Sequence, residues 1–256
     1  MQLADNEVHL WLTDLQTVDN KLIPEYRGLM SLEELERNGR YRFESGRFAD
    51  CVTRALARTV LSRYADAAPA EWQFHKGEHG KPEISAPAPA VPLRFNLSHS
   101  KRYVVCAVAI THDLGVDIEC IERRNEVLDI AHRYFSEREV ADLFALPEER
   151  RKQRFFDYWT LKEAYMKASG EGLSLGLGNF SFYFPGGGDI RIGFGEALED
   201  DPGSWRFHLL QPAPEHRLAV AVRSGAAAQY GLRLFRTIPL TDVSNELDIT
   251  KLSLEC

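Results

Sequence analysis

Cysteine is scarce and scattered. The four in 256 residues, Cys51, Cys106, Cys120 and Cys256, include no CxxC pair, which excludes a disulfide scaffold and the common zinc arrangements and fits reduced thiols. Long apolar runs are missing too. Nothing nears the roughly 20 residues of a membrane span, and an opening that carries Asp5, Glu7 and His9 does not read as a signal peptide, so a cytoplasmic protein with no membrane partner is expected. There is also no surplus of positive charge. A formal net charge of -7 argues against nonspecific nucleic-acid binding while leaving room for a local basic patch.

What is present describes an ordinary globular chain, 44% hydrophobic and 27% charged, long enough for one large domain or two small ones. Glu7 to Leu15 alternates as an opening strand. Ser31-x-x-Glu34 is a capping box, and Arg47 to Tyr64 reads as an amphipathic helix with Phe48, Val52, Ala55, Leu56 and Val60 on its apolar face. Arg40, Arg42 and Arg47 cluster near its start. After a glycine-rich turn at residues 75–82, Arg94 to Leu97 and Tyr103 to Ile110 read as strands joined by a polar bend that holds Ser98, His99 and Ser100. Backbone N–H groups in such a bend suit phosphate oxygens, and a histidine adds a charged donor.

The second half repeats that order of elements. A strand at Leu114 to Glu119 leads to a capping box at Ser136-x-x-Glu139, a break at Pro147, and a helix over Phe155 to Ser169 stopped by Gly170. Strands near Asn179–Phe184, Trp205–Leu210 and Leu218–Arg223 follow. From Ser224 the chain turns Ala-rich and then acidic, which predicts a tail. The expected organisation is an N-terminal α/β half over 1–111, a C-terminal half over 112–223 and a tail over 224–256.

The chemistry concentrates between Gly115 and Lys167. Leu114, Val116 and Ile118 alternate with Asp117 and Glu119, which predicts a half-buried strand with both acids on its other face. Two like charges on one surface call for a cation, and an all-oxygen set suits a hard ion such as Mg2+ better than zinc. On the helix, Trp159, Glu163 and Lys167 stack at i, i+4 and i+8.

In order, GKP at Gly80–Pro82, FNLSHS at Phe95–Ser100, GVDIE at Gly115–Glu119 and WTLKEAYMK at Trp159–Lys167 resemble the motifs of the 4'-phosphopantetheinyl transferases, in particular the larger Sfp type. The resemblance covers roughly residues 7–223. It implies an α/β (α+β) fold: a pseudo-two-fold pair of similar halves, each a small antiparallel-rich sheet packed on a long helix, with the active site at the seam of a monomer. The implied reaction moves the 4'-phosphopantetheine arm of coenzyme A to a serine of an apo acyl or peptidyl carrier protein and releases adenosine 3',5'-bisphosphate. By the same resemblance Asp117, Glu119 and Glu163 hold Mg2+, and Lys81, Ser98 and His99, joined by Arg47, hold the nucleotide phosphates. Lys167 sits near the reacting phosphate. Either Glu163 or a metal-bound water takes the serine proton. Ile121 to Phe135 would border the carrier, with Arg123, Arg124 and Arg133 among Ile121, Val127, Leu128, Ile130, Tyr134 and Phe135, and Arg138 nearby, offering cations and apolar contacts. Rival readings are a metal-dependent phosphodiesterase or nuclease, and a noncatalytic module that binds coenzyme A or a carrier.

Overall fold

The alternating segments of the first half pair into a sheet, and its amphipathic helix lies against them. The computed structural model describes residues 1–77, 80–122, 127–224 and 230–249, with the side chain of Leu173 left out. In chain order the first half gives β1 (Glu7–Asp14), α1 (Ile23–Gly28), α2 (Leu32–Gly39), α3 (Glu44–Leu61), β2 (Gln73–Lys76), β3 (Pro82–Ala86), β4 (Leu93–Ser100) and β5 (Tyr103–Ile110). The second gives β6 (Leu114–Cys120), α4 (Val127–Tyr134), α5 (Glu137–Ala145), α6 (Glu148–Ser169), β7 (Phe180–Gly186), β8 (Asp189–Phe194), β9 (Trp205–Leu210) and β10 (His216–Arg223). Last come β11 (Gly231–Thr237) and β12 (Ser244–Leu247).

These elements form two compact units that divide after His112, with β11 and β12 returning to the first. In the first unit the sheet order is β12-β11-β1-β5-β4. Tyr103–Ile110, a continuous apolar run, is its wholly buried inner strand, as a strand covered on both faces must be. Val52, Ala55, Leu56 and Val60 of α3 are fully buried and share a core with Trp11, Val104, Cys106 and Val108 from the sheet. The expected tail is corrected here: β11 pairs parallel with β1, and its Phe235 stacks on Trp11 at 4.5 Å. A parallel partner more than 200 residues away leaves no local signal. The cost of leaving Leu234 and Phe235 in water decides the outcome.

The second unit has a three-stranded antiparallel sheet, β6-β10-β9, and a separate β7-β8 hairpin. Both capping boxes form as expected, on α2 and α5. Helix α6 starts seven residues earlier than expected, with Pro147 at its N-cap, where the missing N–H costs nothing, and ends on Gly170 in the left-handed region, φ 78°. Each unit is thus an antiparallel-rich sheet backed by one long helix. No helix among the described residues is long and apolar enough to cross a membrane.

Candidate active site

Antiparallel register puts Gly115 opposite Ala221, Asp117 opposite Ala219, and Glu119 opposite Arg217. Directly opposed residues share a sheet face, so the acids stand among three residues with little or no side chain. That face accepts α6. A Cβ added to Gly115 would lie 2.0 Å from Ala164 O and 2.5 Å from Ala168 N, so only glycine allows this approach. At the other end of the contact, Arg217 Nε donates to Asp157 Oδ1 of α6 at 2.7 Å. The helix therefore runs antiparallel to β6. Six helical steps from Asp157 to Glu163 rise about 9 Å, and two strand steps from Glu119 to Asp117 span about 6.5 Å, so Glu163 comes within about 2–3 Å of the level of Asp117 along the helix axis.

The expectation of a half-buried strand needs correcting. All seven residues of β6 are buried, with Asp117 at 4% and Glu119 at 8% exposure. The acidic face is covered by a helix rather than by water. Alternation shows that two faces differ, not that the polar one is wet. The helix stripe, by contrast, is where it was expected: from Arg154 to Ala168 every residue is buried except Trp159, Glu163 and Lys167. Two of that stripe, Lys167 and Glu163, are the residues that interact with Asp117.

Lys167 Nζ donates to Asp117 Oδ1 at 2.7 Å and to Val116 O at 3.3 Å. Burial first, and then the nearby negative charge of Asp117, push the Glu163 carboxyl above its ordinary value, with Lys167 pulling the other way. Glu163, Asp117 and Lys167 thus share one electrostatic neighbourhood. Among the described residues no three acidic, imidazole or thiol groups are gathered into a ready cage for an ion. Mg2+ does not need one. It takes one or two carboxylates and fills its remaining positions with water and substrate phosphate, so the oxygen-only chemistry of Asp117, Glu119 and Glu163 suits it although the three are not drawn into one cage.

The other expected site residues belong to the first unit. Lys81 lies in the β2–β3 turn, where Gly77 N donates to its carbonyl at 2.9 Å and Gly80 takes φ 79°. Ser98 and His99 are not in a bend: they pair with Val105 and Val104 inside β4, and the turn is the following Lys101-Arg102, with Lys101 at φ 33°. Pairing with Tyr103, Val104 and Val105 of β5 carries the ladder through the motif to its end. Ser98 is buried and His99 exposed, so the side chains, rather than loop N–H groups, are what this stretch offers. Arg47 Nη1 donates to Tyr41 O at 2.8 Å near the start of α3.

In the expected docking segment, Arg123 and Arg124 lie outside the described residues. Val127 and Phe135 prove to be core, with Phe135 stacked on Phe155 at 5.1 Å, and Leu128 and Ile130 are partly buried against the same cluster. Tyr134 is exposed, with Arg133 over its ring at 5.4 Å.

Two buried ion pairs escaped the sequence. Lys162 Nζ donates to Leu177 O and Phe180 O, both at 2.7 Å, and pairs with Glu139 at 2.8 Å, all with both side chains at 0% exposure. All three ammonium protons have partners. Glu139, read from sequence only as a cap, also accepts from Phe182 N through Oε1 at 2.9 Å. The second pair is Arg217–Asp157.

Comparison with known proteins gives this geometry a family. The model of the 4'-phosphopantetheinyl transferase superfamily matches residues 113–222, and that of the 4'-phosphopantetheinyl transferase N-terminal region matches residues 24–111. The 4'-phosphopantetheinyl transferase HetI of Nostoc is 34% identical over 68% of this chain and 73% of its own. The 4'-phosphopantetheinyl transferase Sfp of Bacillus subtilis is 33% identical over 76% of this chain and 83% of its own. The psf-1 enzyme of Bacillus pumilus, which carries the same description, is 30% identical over 86% and 92%. The chain belongs to the 4'-phosphopantetheinyl transferase family.

Proposed function

We propose that this protein transfers the 4'-phosphopantetheine arm of coenzyme A to a serine hydroxyl of an apo acyl or peptidyl carrier protein, with Asp117, Glu119 and Glu163 holding Mg2+. Family membership supports the reaction, and the observation that supports the site is the half-open Trp159–Glu163–Lys167 stripe over a buried face bearing Asp117 and Glu119. Bound there, Mg2+ would neutralise pyrophosphate oxygens. Glu163 takes the serine proton, and its raised affinity for protons brings it nearer the strength a general base needs at neutral pH. The serine oxygen bonds to the β-phosphorus while the bond from that phosphorus to the bridging oxygen breaks, and adenosine 3',5'-bisphosphate leaves with the electron pair. Lys167, already anchored on Asp117, supplies positive charge beside the transferred phosphate. In this reading the enzyme is a cytoplasmic monomer, and Arg133 and Tyr134 are among the exposed residues of the carrier-facing segment.

Lys81 and His99, with Ser98 and Arg47, would hold the phosphates of coenzyme A. Lys81→Ala and His99→Ala should each weaken coenzyme A binding by roughly 1.5–3 kcal/mol, the worth of a charged hydrogen bond to phosphate. Calorimetric titration with coenzyme A and with its analogue lacking the 3'-phosphate tests this. Equal affinities for both ligands in wild type and both variants would remove these residues from the phosphate site.

A further inference from the structure

Arg217 is charged, 2% exposed, and lies on the face that carries the acids. It stands directly across the ladder from Glu119, a separation of about 4.5–5.5 Å between Cβ atoms. Its guanidinium is fixed at Nε by Asp157 of α6 at 2.7 Å and at Nη1 by His216 O at 3.2 Å. Asp157 also has Arg154 Nε at 4.0 Å, and Arg154 in turn reaches Asp142 at 3.7 Å. Asp157 is thus shared between two buried guanidiniums, while Asp142, the other partner of Arg154, is 44% exposed and screened by water, so the buried part of this group carries one more cation than anion. At the opposite end Lys167 sits on Asp117. Lys167 thus pairs with one strand acid, and Arg217 stands across the ladder from the other.

We propose that Arg217 is a positioning residue for the acidic site. Strand alternation already puts Glu119 on the α6 side of the sheet, and the fixed positive charge of Arg217 keeps its carboxylate close to Asp117, where like charge would otherwise drive the two apart. This rests on the reading of Asp117 and Glu119 as metal ligands. In a buried site of low polarity, repulsion between neighbouring carboxylates is strong. A guanidinium anchored from a second element offsets it without occupying the half-open stripe of Trp159, Glu163 and Lys167. Groups that orient metal ligands in this way are commonly worth 10- to 100-fold in metal affinity.

The test is Mn2+ binding, read from the electron paramagnetic resonance of free Mn2+, alongside thermal melts. Arg217→Met alone would leave Asp157 with less compensation in the core, so the informative variant is Arg217→Met/Asp157→Leu, since an apolar pair of similar volume can replace a buried ion pair without loss of fold. Asp157→Asn is the control that keeps the Arg217 charge in place. The double variant should fold and bind Mn2+ about tenfold or more weakly, while Asp157→Asn stays within about threefold of wild type. A double variant that binds Mn2+ as wild type does, or that does not fold, overturns the proposal, because the pair then serves the fold alone. An Asp157→Asn variant that loses as much affinity as the double overturns it too. Wild-type protein that binds no Mn2+ would instead overturn the metal reading beneath it.

Discussion

Glu163→Gln should reduce transfer by about 10²–10⁴-fold, the range over which a positioned general base acts, without lowering the stability of the fold. The side chain keeps its volume, and the two costs that hold its carboxyl above the ordinary value, burial of the charge first and repulsion from Asp117 second, disappear. A group whose folded form binds its proton more tightly than the unfolded chain stabilises the fold most at low pH. That contribution is lost as pH rises from the ordinary carboxylate range through the raised value. The melting temperature of Glu163→Gln should therefore gain on wild type as pH rises out of the acid range, which melts of both proteins across pH would reveal. Parallel profiles would contradict the electrostatic account of the site. Retained turnover would remove Glu163 from the chemistry.

The second large effect is expected at Gly115→Ala. The added methyl would stand 2.0 Å from a backbone oxygen of α6, and no rotamer change relieves a clash with the main chain. Helix and strand must separate, at a cost of about 3 kcal/mol or more, and the separation draws Glu163 away from Asp117. Urea unfolding should show the loss of stability, and transfer should fall with it. A variant as stable and active as wild type would show that α6 does not depend on this contact.

How much of this was legible in the sequence follows from what a local pattern can carry. The spacing of Trp159, Glu163 and Lys167 on a helix is set by the 3.6-residue period alone, and between Arg154 and Ala168 they are indeed the half-open residues of α6. Capping boxes at Ser31 and Ser136 are likewise local, and both form. Covering of the acidic face by a helix is not local. It depends on Gly115 meeting Ala221, and Asp117 meeting Ala219, across a ladder whose strands lie about 100 residues apart. Arg217–Asp157 and Lys162–Glu139 join elements distant in sequence, yet each left a trace. Asp157 falls in line with Leu161, Ala164 and Ala168 on the buried side of α6, and Lys162 with Phe155, Tyr158 and Tyr165. A charge inside an apolar helical stripe announces a buried partner. Ser98 and His99 were misplaced because a polar Ser-His-Ser run has the composition of a turn, while pairing with Val104 and Val105 keeps it in the strand.

The central claim, Mg2+-dependent transfer of the phosphopantetheine arm, is tested most directly by mass spectrometry of apo carrier proteins incubated with this protein and coenzyme A. A panel of acyl and peptidyl carriers would be run with Mg2+, with EDTA, and with Mg2+ restored in excess. The account predicts that at least one carrier gains the mass of one phosphopantetheine arm on its acceptor serine, that EDTA stops the gain, and that Mg2+ brings it back. Full modification in chelator by protein shown to be metal-free would contradict the role given to Asp117, Glu119 and Glu163, and no gain on any carrier with Mg2+ present would contradict the reaction itself.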